Sequence, residues 1–457
     1  MVDTYSYDAV GIAILLGLFF LMVILRFPIT FALALSSIVT AITRGIGLEA
    51  IVTYFANGTM NFALLAIPFF IIMGEVMNEG GISQRIVAFG NLLVGWLPGG
   101  LALVNVMASM FYGGISGSAV ADVSSLGSIE IPMMRKAGYD DEFSVGITVC
   151  SACQGVIIPP SHNMIIFAFS IATASQLAGG SMLTVSVGKL FLGGYIPGIL
   201  LGINLMVIAF ILSLIRKYPR GQFYSLREGA KIAVDAILAL LTAVIVVGGV
   251  VTGIFTATES AAFAVLYAMF VTFVIYRQIP FKRMIKIMYT SLKTLGVVMS
   301  LIAAAAAFGF LLTFFHVPQL ATNTLLSITT NKYLLLFLIN IMLLILGCIM
   351  DMAPLILICT PILYPVLCLP RMVDGVVQAA FLDPVHFGVL LILNLAIGLC
   401  TPPVGSALFV GAAVGKITLM RAARGSLPFY ISMLATLFLI TYIPEITMFL
   451  PNLLMPK

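Results

Sequence analysis

Charged side chains are scarce in this chain of 457 residues. Only 9% of the residues are Asp, Glu, Lys or Arg, whereas 61% are hydrophobic. Soluble domains carry about 25% charged residues, so this composition excludes an ordinary soluble protein and indicates one polytopic membrane body. The net charge of +5 comes from basic residues in short loops, where they indicate membrane orientation rather than nucleic-acid binding.

Residues that build metal centres and nucleotide sites are also few. The chain has 3 histidines and 6 cysteines. The pair Cys150 and Cys153 has no other His/Cys set nearby, so we interpret it as structural rather than redox-active or metal-binding. The segment Gly411–Ile417 lacks the spacing and the Ser/Thr of a phosphate-binding loop. The sequence therefore predicts no cofactor, no chelatable metal and no ATP coupling.

Long apolar runs predict the membrane-spanning helices, each of which needs about 20 apolar residues. The run at 9–25 is followed by Arg26 instead of a small-residue cleavage site, so it indicates a first helix rather than a signal peptide. We expect ten spanning helices, near residues 8–26, 28–43, 61–80, 143–170, 188–215, 231–251, 258–276, 294–315, 383–413 and 427–449.

Two further apolar runs, 99–137 and 332–369, are interrupted at their midpoints. The first interruption is the glycine- and serine-rich stretch Tyr112–Asp122, and the second is Leu346–Pro354. Hydrocarbon tolerates irregular backbone only where protein or an aqueous cavity covers it. Each run is therefore predicted to be a re-entrant helical hairpin.

Basic clusters predict the orientation of the chain. The clusters at 216–227 and 277–293 should both be cytoplasmic, which requires an even number of crossings between them. Counting outward, Arg135 and Arg421 also fall on the cytoplasmic side, whereas both termini and Arg44 come out extracytoplasmic. The first hairpin then opens from the cytoplasm and the second from the outside.

The two halves of the chain, 1–228 and 229–457, repeat in order. Each contains five predicted crossings and one hairpin, so the copies should have opposite orientations, which is typical of secondary transporters. The offset rises from 228 to 233 and then to 243 after an insertion near 366–382. The matching residues are Phe27 and Phe255, Thr30 and Thr258, Gly114 and Gly347, Ser118 and Asp351, Pro132 and Pro365, Asp140 and Asp383, Gly155 and Gly398, Pro159 and Pro402, and Pro160 and Pro403.

A proline pair interrupts each half after its hairpin. One pair, at 159–160, lies in the run 143–170, and the other, at 402–403, lies in the run 383–413. Proline removes a backbone donor and frees a carbonyl one turn earlier. Such carbonyls are hard ligands for a small cation, and half-helix N-termini suit an anion. One pair alone would be an ordinary kink, but the repetition favours a binding site.

Small and hydroxyl-bearing residues at the hairpin tips predict two cation sites. Small residues allow the backbone to approach an ion closely, although they could instead only allow helices to pack. Asp122 is a possible coupling carboxylate, although it and Asp351 could instead snorkel to the interface. The predicted ligands are Gly114, Ser116, Gly117 and Ser118 in the first half, and Gly347, Asp351 and Ala353 in the second.

Polar residues beside the proline pairs predict the solute site. His162 and Asn163 can donate hydrogen bonds to a carboxylate or a sugar hydroxyl, or alternatively join two helices. Ser161, Pro403 and Ser406 complete this predicted set.

Other polar residues have a structural interpretation. Glu259 follows Thr256 in a helix-start pattern and should cap a helix, and Asp140 and Asp383 should do the same. His316 and His386 should lie near interfaces and receive no role.

These motifs resemble the large membrane subunit of the TRAP (tripartite ATP-independent periplasmic) transporters, of the DctM and SiaM kind. The resemblance covers nearly the whole chain. It rests on Leu65–Pro68 with Met73–Glu75, Gly113–Asp122, Gly253–Thr256, Thr360–Leu363, Asp383–Gly388 with Asn394–Gly398, and Thr401–Gly405.

The resemblance implies a sodium-driven importer of an organic acid in the bacterial inner membrane. A periplasmic protein would deliver the acid, and a small four-helix membrane subunit would brace the scaffold; because this chain starts at the first helix of the large subunit, we expect that subunit to be a separate chain. The hairpins and broken helices would form a mobile transport domain that slides past a scaffold of the remaining helices. The resemblance places sodium at Ser116, Ser118, Gly155 and Pro159, and at Gly347, Asp351, Gly398, Thr401 and Gly405.

Two alternatives remain open at the level of sequence. One is a stand-alone sodium- or proton-coupled carboxylate carrier, which would need no binding protein. The other is an intramembrane aspartyl protease that uses Asp122 and Asp351, because two carboxylates that share a proton suffice for that chemistry. The protease lacks support from a Gly-x-Gly-Asp motif.

Overall fold

The computed structural model of the chain describes residues 8–177, 184–221, 223–373 and 376–455, and these residues are almost entirely helical, as expected. A 3-10 turn, Phe62–Leu65, precedes the fourth helix. The helices of the first half are α1 (Ala9–Ile24), α2 (Ile29–Thr43), α3 (Leu48–Thr59), α4 (Ala66–Glu79), α5 (Ile82–Val94), α6 (Gly100–Ser116), α7 (Ala119–Ser125), α8 (Gly127–Lys136), α9 (Asp141–Ala152), α10 (Gln154–Ile157), α11 (His162–Leu177) and α12 (Val187–Ile215).

The second half adds ten helices and one short pair of antiparallel strands among the described residues. A π-helical turn, Val271–Tyr276, continues α14. The elements are α13 (Leu226–Val251), α14 (Ala257–Phe270), α15 (Arg283–Phe314), α16 (Val317–Ile328), α17 (Lys332–Ile349), α18 (Met352–Cys368), β1 (Arg371–Val373), β2 (Val376–Gln378), α19 (Pro384–Leu399), α20 (Ser406–Val414), α21 (Leu419–Tyr442) and α22 (Pro444–Leu454).

Both predicted hairpins and both predicted broken helices are interrupted where the sequence indicated. The first hairpin turns between α6 and α7, where Gly117 adopts a left-handed conformation with φ +59°. The second turns between α17 and α18 through an extended Met350. Residues 158–161 separate α10 from α11, and the axis bends there by 48°. Residues 400–405 separate α19 from α20.

Other boundaries differ from the sequence prediction. Three amphipathic helices, α3, α5 and α16, were not expected, and α15 begins at Arg283 rather than near residue 294. The run predicted at 427–449 is two helices, α21 and α22, which meet at Ile443 and Pro444. Within the described residues six helices are long and apolar enough to span a membrane, or seven with the bent pair; α1 and α2 are shorter. The chain is thus a multi-pass membrane protein, and the count of ten crossings stays a prediction.

The helices pack in two groups. In the first group, α2, α3 and α4 pack on α15, and α4 and α13 pack on α14. In the second, α9 packs on α21, α6 and α21 pack on α12, α17 packs on α19, and α11 packs on α18. The hairpins and broken helices therefore share one core, and α12 and α21 belong to it as well.

In each half, a glycine of the hairpin contacts a glycine of the broken helix. A Cβ built on Gly113 would lie 2.2 Å from the Cα of Gly155, and a Cβ built on Gly347 would lie 3.2 Å from the Cα of Gly398. In each half a tip-proximal glycine of the first hairpin arm therefore touches a glycine of the broken helix, because any side chain there would hold the backbones apart.

Basic residues gather at one end of the second group. Arg135 pairs with Asp141 at 2.5 Å, Arg216 with Asp140 at 2.8 Å, and Arg421 with Glu142 at 2.8 Å. These three arginines come from regions that the sequence placed together on the cytoplasmic side. Their common contact with residues 140–142 agrees with that grouping.

Candidate functional site

The tip of the first hairpin meets the proline break of the same half. A Cβ built on Gly114 would lie 3.2 Å from the carbonyl oxygen of Pro159, and one built on Gly117 would lie 3.2 Å from that of Pro160 and 3.3 Å from Nδ1 of His162. The absence of side chains at these glycines thus leaves main-chain oxygens facing the tip. The predicted residues of the first half form one cluster, as expected.

Serine side chains shape the turn of this hairpin. Ser118 begins α7 and its hydroxyl accepts from the backbone N–H of Ala121 at 3.4 Å, while its own N–H donates to the hydroxyl of Ser116 at 3.4 Å. Ser161 is fully buried, and its hydroxyl has no hydrogen-bond partner within the described residues. The cluster therefore offers hydroxyl oxygens next to the carbonyls of the break.

Asp122 lies behind this tip in a buried polar chain that the sequence did not reveal. Its Oδ1 accepts from Ser109 at 3.1 Å, Ser109 contacts the hydroxyl of Ser151 at 3.1 Å, and Ser151 donates to the side-chain oxygen of Asn105 at 2.8 Å. The other carboxylate oxygen lies 3.1 Å from a Cβ built on Gly155. Asp122 is fully buried, so it does not snorkel to an interface.

The second half builds a related cluster with different chemistry. Asp351 begins α18 and accepts from the hydroxyl of Ser406 at 3.4 Å. Backbone N–H groups of Val404 and Gly405 donate to the carbonyl of Cys348 at 3.1 and 3.5 Å. A Cβ built on Gly405, which has φ +46°, would lie 2.8 Å from the carbonyl oxygen of Thr401. The loop 400–405 is therefore held against the second hairpin tip.

Some predicted residues gain no contact that supports their role. Ala353 is partly buried on α18, Pro403 is exposed within the break, and Asn163 is buried on α11. These three residues lie beside the clusters. Their proposed ligand or solute contacts stay predictions.

The two clusters are joined through the broken helices. The thiol of Cys153 donates to the carbonyl of Ala396 at 2.9 Å, and the thiol of Cys400 donates to that of Val149 at 3.1 Å, with the two sulfur atoms 2.6 Å apart. Both cysteines are free. These contacts agree with the interpretation of Cys153 as a structural residue. Tyr430 of α21 donates to the carbonyl of Cys400 at 2.5 Å and fixes the second break.

The expectations for the capping residues had mixed outcomes. Thr256 and Glu259 form a reciprocal capping box at the start of α14, and Asp383 accepts from the N–H of Val385 at 2.8 Å, so these expectations are confirmed. The expectation for Asp140 was wrong. Its side chain makes no cap; Tyr218 and Arg216 donate to it instead, and together they lower the pKa of this carboxyl.

His386 was expected near an interface and without a role. This residue is fully buried on α19, and neither ring nitrogen has a hydrogen-bond partner within the described residues. The hydrophobic residues on both sides of it in sequence gave no sign that the first turn of α19 would be enclosed. Burial within the protein does not fix its depth in the membrane, so its place near an interface stays a prediction.

Comparison with known proteins gives a family. Residues 16–446 match the family model described as "Tripartite ATP-independent periplasmic transporter, DctM component". The chain is 38% identical to the sialic acid TRAP transporter large permease protein SiaM of Vibrio cholerae, a match that covers 93% of this chain and 95% of the relative. It is also 38% identical to the C4-dicarboxylate TRAP transporter large permease protein DctM of Pseudomonas aeruginosa, with coverages of 86% and 87%.

A third relative and two solved structures extend the comparison. The 2,3-diketo-L-gulonate TRAP transporter large permease protein YiaN of Escherichia coli is 37% identical, over 85% of this chain and 87% of the relative. The Alcanivorax borkumensis YdaH transporter superimposes with a TM-score of 0.63 at 14% identity, over 87% of this chain and 89% of that one. Neisseria gonorrhoeae MtrF gives 0.59 at 15% identity, with coverages of 95% and 96%.

The two solved structures show a shared fold, and the family model and the relatives show the class of protein. The chain belongs to the DctM family of TRAP transporter large permeases, and it is a multi-pass inner-membrane transport protein rather than an enzyme.

Proposed function

We propose that this permease imports an organic acid by sodium symport, with one sodium site at each hairpin tip. The observation that carries the proposal is the repeated glycine contact between a hairpin arm and a broken helix, Gly113 with Gly155 and Gly347 with Gly398. In each half this contact brings the tip next to a proline-interrupted segment. Carbonyl and hydroxyl oxygens are the ligands that hard cations prefer.

Sodium is expected to neutralise charge at sites that lack cationic side chains. The predicted ligands Gly114, Gly155 and Gly398 can offer only backbone groups, and the carboxylate of Asp351 has Ser406 as its partner. A sodium ion at each tip would offset the charge of a carboxylate substrate bound between them. Two ions would each supply about 2.3 kcal/mol per 100 mV of membrane potential, which is enough to drive uphill import.

We propose that the second packing group is the mobile transport domain and the first group is the scaffold. This assignment keeps the hairpins and broken helices together and adds α12 and α21, because both pack on them. The amphipathic helices α5 and α16 precede the two hairpins and would link them to the scaffold. The motion is that of an elevator, in which both sites cross the membrane together.

The proposed partners are a small membrane subunit and a periplasmic binding protein. Relatives are named for sialic acid, C4-dicarboxylates and 2,3-diketo-L-gulonate, which supports an organic acid as substrate. A relative in Oleidesulfovibrio alaskensis is a permease named DctMQ, of which this chain covers 66%. This match supports a second membrane component as a partner of the large permease.

Reconstitution tests the tripartite proposal directly. Proteoliposomes that contain this chain and its small subunit should accumulate labelled acid only with an inward sodium gradient and the matching binding protein. Uptake of free acid without the binding protein would favour the stand-alone carrier. Uptake that ignores sodium but follows a proton gradient would contradict sodium coupling.

Removing one side-chain ligand tests the sodium sites. Ser118→Ala and Asp351→Ala should each raise the sodium concentration for half-maximal uptake by about five- to thirty-fold, since each loses an interaction of about 1–2 kcal/mol. Ser128→Ala on the exposed face of α8 is the matched control. Unchanged sodium curves in both variants would remove the site assignment.

A substitution at the first break tests the solute site. His162→Ala should change the preference among organic acids more than the sodium dependence, because its imidazole can donate a hydrogen bond to a carboxylate or a hydroxyl, whereas the proposed sodium ligands are oxygen atoms. Uptake of several acids, each at a range of sodium concentrations, measures both effects. An equal loss for every acid would indicate a structural role.

The protease alternative receives no support from the geometry. Asp122 contacts Ser109 inside the first cluster, whereas Asp351 contacts Ser406 at the exposed second tip. Two carboxylates must share a proton in an aspartyl protease, and these two have separate partners.

A further inference from the structure

The molecule contains a large cavity that the proposed ion and solute clusters do not use. Its volume is about 1080 Å³, and its wall combines the scaffold helices α3 and α15 with α11 of the other group. Ligand pockets commonly enclose about 300–1,000 Å³, so a sugar-sized solute fits. Met60 and Phe314 line it and are exposed, so it opens to the surface.

The cavity is separate from the hairpin tips. Phe169, Ala172 and Thr173 form the part of its wall that comes from α11, whereas His162 begins that helix at the first break. Eleven residues of helix between His162 and Thr173 correspond to about 16 Å. Phe310, Thr313 and Phe314 place the cavity at the end of α15, which is predicted to reach the extracytoplasmic side.

The polar lining consists of amide, hydroxyl and imidazole groups. The described residues that line the cavity include Asn57, Asn61, Thr313, His316 and Gln319 but no Asp, Glu, Lys or Arg. The side-chain oxygen of Gln319 is buried and has no hydrogen-bond partner among the described residues. Such an acceptor needs a donor, and a solute hydroxyl would supply it.

Aromatic rings complete the wall. Tyr54 and Phe310 stack with their ring centroids 4.2 Å apart and their planes 15° apart, so they present one rigid apolar surface. Amide and hydroxyl groups around an aromatic surface suit a ring or chain that carries several hydroxyls. A compact dicarboxylate would place two charges against a wall whose described residues include no Lys or Arg, and burying unpaired charge is unfavourable.

We propose that this cavity is a reception site that binds a polyhydroxylated monocarboxylic acid before the acid reaches the hairpin tips. The inference rests on the proposed import function and adds a second solute site and a substrate class to it. The acid would enter from the binding protein and contact Asn57, Gln319 and the Tyr54 ring. Because α11 forms one wall and the scaffold forms the others, movement of the transport domain would reshape the site.

Reversible blockage tests the proposal in the complete three-component system. Asn57→Cys places a thiol in the cavity on α3, and Thr53→Cys places one on the exposed surface of the same helix one turn earlier. A membrane-impermeant methanethiosulfonate reagent should abolish uptake by the Asn57→Cys transporter, and a reducing agent should restore it. Thr53→Cys and the unsubstituted chain, whose six cysteines are buried or half-buried, should lose no uptake.

Protection from the reagent tests the ligand class. N-acetylneuraminate or 2,3-diketo-L-gulonate should slow the labelling of Asn57→Cys, and succinate at the same concentration should not. Protection by succinate alone would overturn the assigned class. Labelling that leaves uptake unchanged, or equal inhibition of Thr53→Cys, would overturn the reception site.

The same assay separates this inference from the proposed function. The unsubstituted system must take up acid only with sodium and the binding protein. If that requirement fails, the proposed function fails. If it holds and blockage has no effect, only the reception site is wrong.

Discussion

Four glycines set the distance between the hairpins and the broken helices. Gly113 and Gly155 touch in the first half, and Gly347 and Gly398 touch in the second. Three of them, Gly155, Gly347 and Gly398, were predicted as ligands from the sequence. The comparison of the two halves, however, matched Gly347 with Gly114 instead of Gly113. The first tip has a left-handed glycine before Ser118, whereas the second has an extended Met350 before Asp351, and this difference in turn shifts the register by one residue.

The close approach predicts a large effect for the smallest possible side chain. Gly113→Ala should lower the free energy of unfolding by about 1–3 kcal/mol, the usual range for overpacking, because its Cβ would lie 2.2 Å from the Cα of Gly155. It should also weaken sodium dependence by separating the tip from the break. Thermal unfolding in detergent and sodium-titrated uptake measure the two effects.

A glycine without close neighbours provides the control. Gly248 lies in α13, and a Cβ built there meets no atom within 4 Å. Gly248→Ala should leave stability unchanged or raise it by about 0.5–1 kcal/mol, since alanine favours a helix. Equal losses in Gly113→Ala and Gly248→Ala would contradict the importance of the tip contact.

At the scale of elements, the sequence predicted interruptions better than boundaries. Glycine, proline and polar residues inside apolar runs located both hairpins and both broken helices. The helices α3, α5 and α16 were missed because their mixed polar and apolar faces resemble loops in a search for spanning runs. Helix α21 was started too late because Arg421 and Arg424 were interpreted as loop residues, although Arg421 pairs with Glu142 from within the helix.

One hydrogen bond connects the second broken helix to the element beside it. Tyr430→Phe keeps the ring on α21 but leaves the carbonyl of Cys400 without the donor that it has at 2.5 Å. The loss should lower stability by about 1–3 kcal/mol, the cost of an unsatisfied buried acceptor. It should also raise the sodium concentration for half-maximal uptake, because loop 400–405 loses its support.

A second tyrosine on the same helix is the matched control. Tyr442 donates to the carbonyl of Tyr333 at 3.2 Å in an exposed position, where water can replace the bond. Tyr442→Phe should therefore change neither the unfolding temperature nor the sodium curve. If Tyr430→Phe behaves in the same way, loop 400–405 is held by its contacts with Cys348 alone.

At the scale of the molecule, the proposed division into two bodies could not be assigned in full from sequence patterns. Hairpins and broken helices were recognisable from their composition. The membership of α12 and α21 was not, because uniformly apolar helices carry no mark of their neighbours. Only the contacts with α6, α9 and α19 place them in the proposed mobile body.

Cross-linking across the boundary tests the two-body arrangement. A Cβ built on Gly188 of α12 would lie 3.0 Å from a methyl carbon of Val250 on α13, so the double variant Gly188→Cys, Val250→Cys should form a disulfide under an oxidant. Oxidation should stop sodium-driven uptake, and reduction should restore it. Uptake is measured in the reconstituted complex.

A cross-link inside the scaffold is the control. Gly80 follows α4, and Thr272 lies in the π-helical turn that continues α14. A Cβ built on Gly80 would lie 2.7 Å from a side-chain atom of Thr272. Oxidised Gly80→Cys, Thr272→Cys should transport normally. Continued transport with α12 fixed to α13 would show that α12 does not move relative to the scaffold.

The thiol contacts between the two broken helices have a consequence for stoichiometry. Cys153 and Cys400 each donate to a carbonyl of the opposite half, so we expect the two clusters to move as one unit. If sodium binds as proposed, neither ion can cross while the other stays behind, and the number carried per turnover is a fixed integer. Such a carrier should show no slippage: solute flux and sodium flux should keep the same ratio at every voltage.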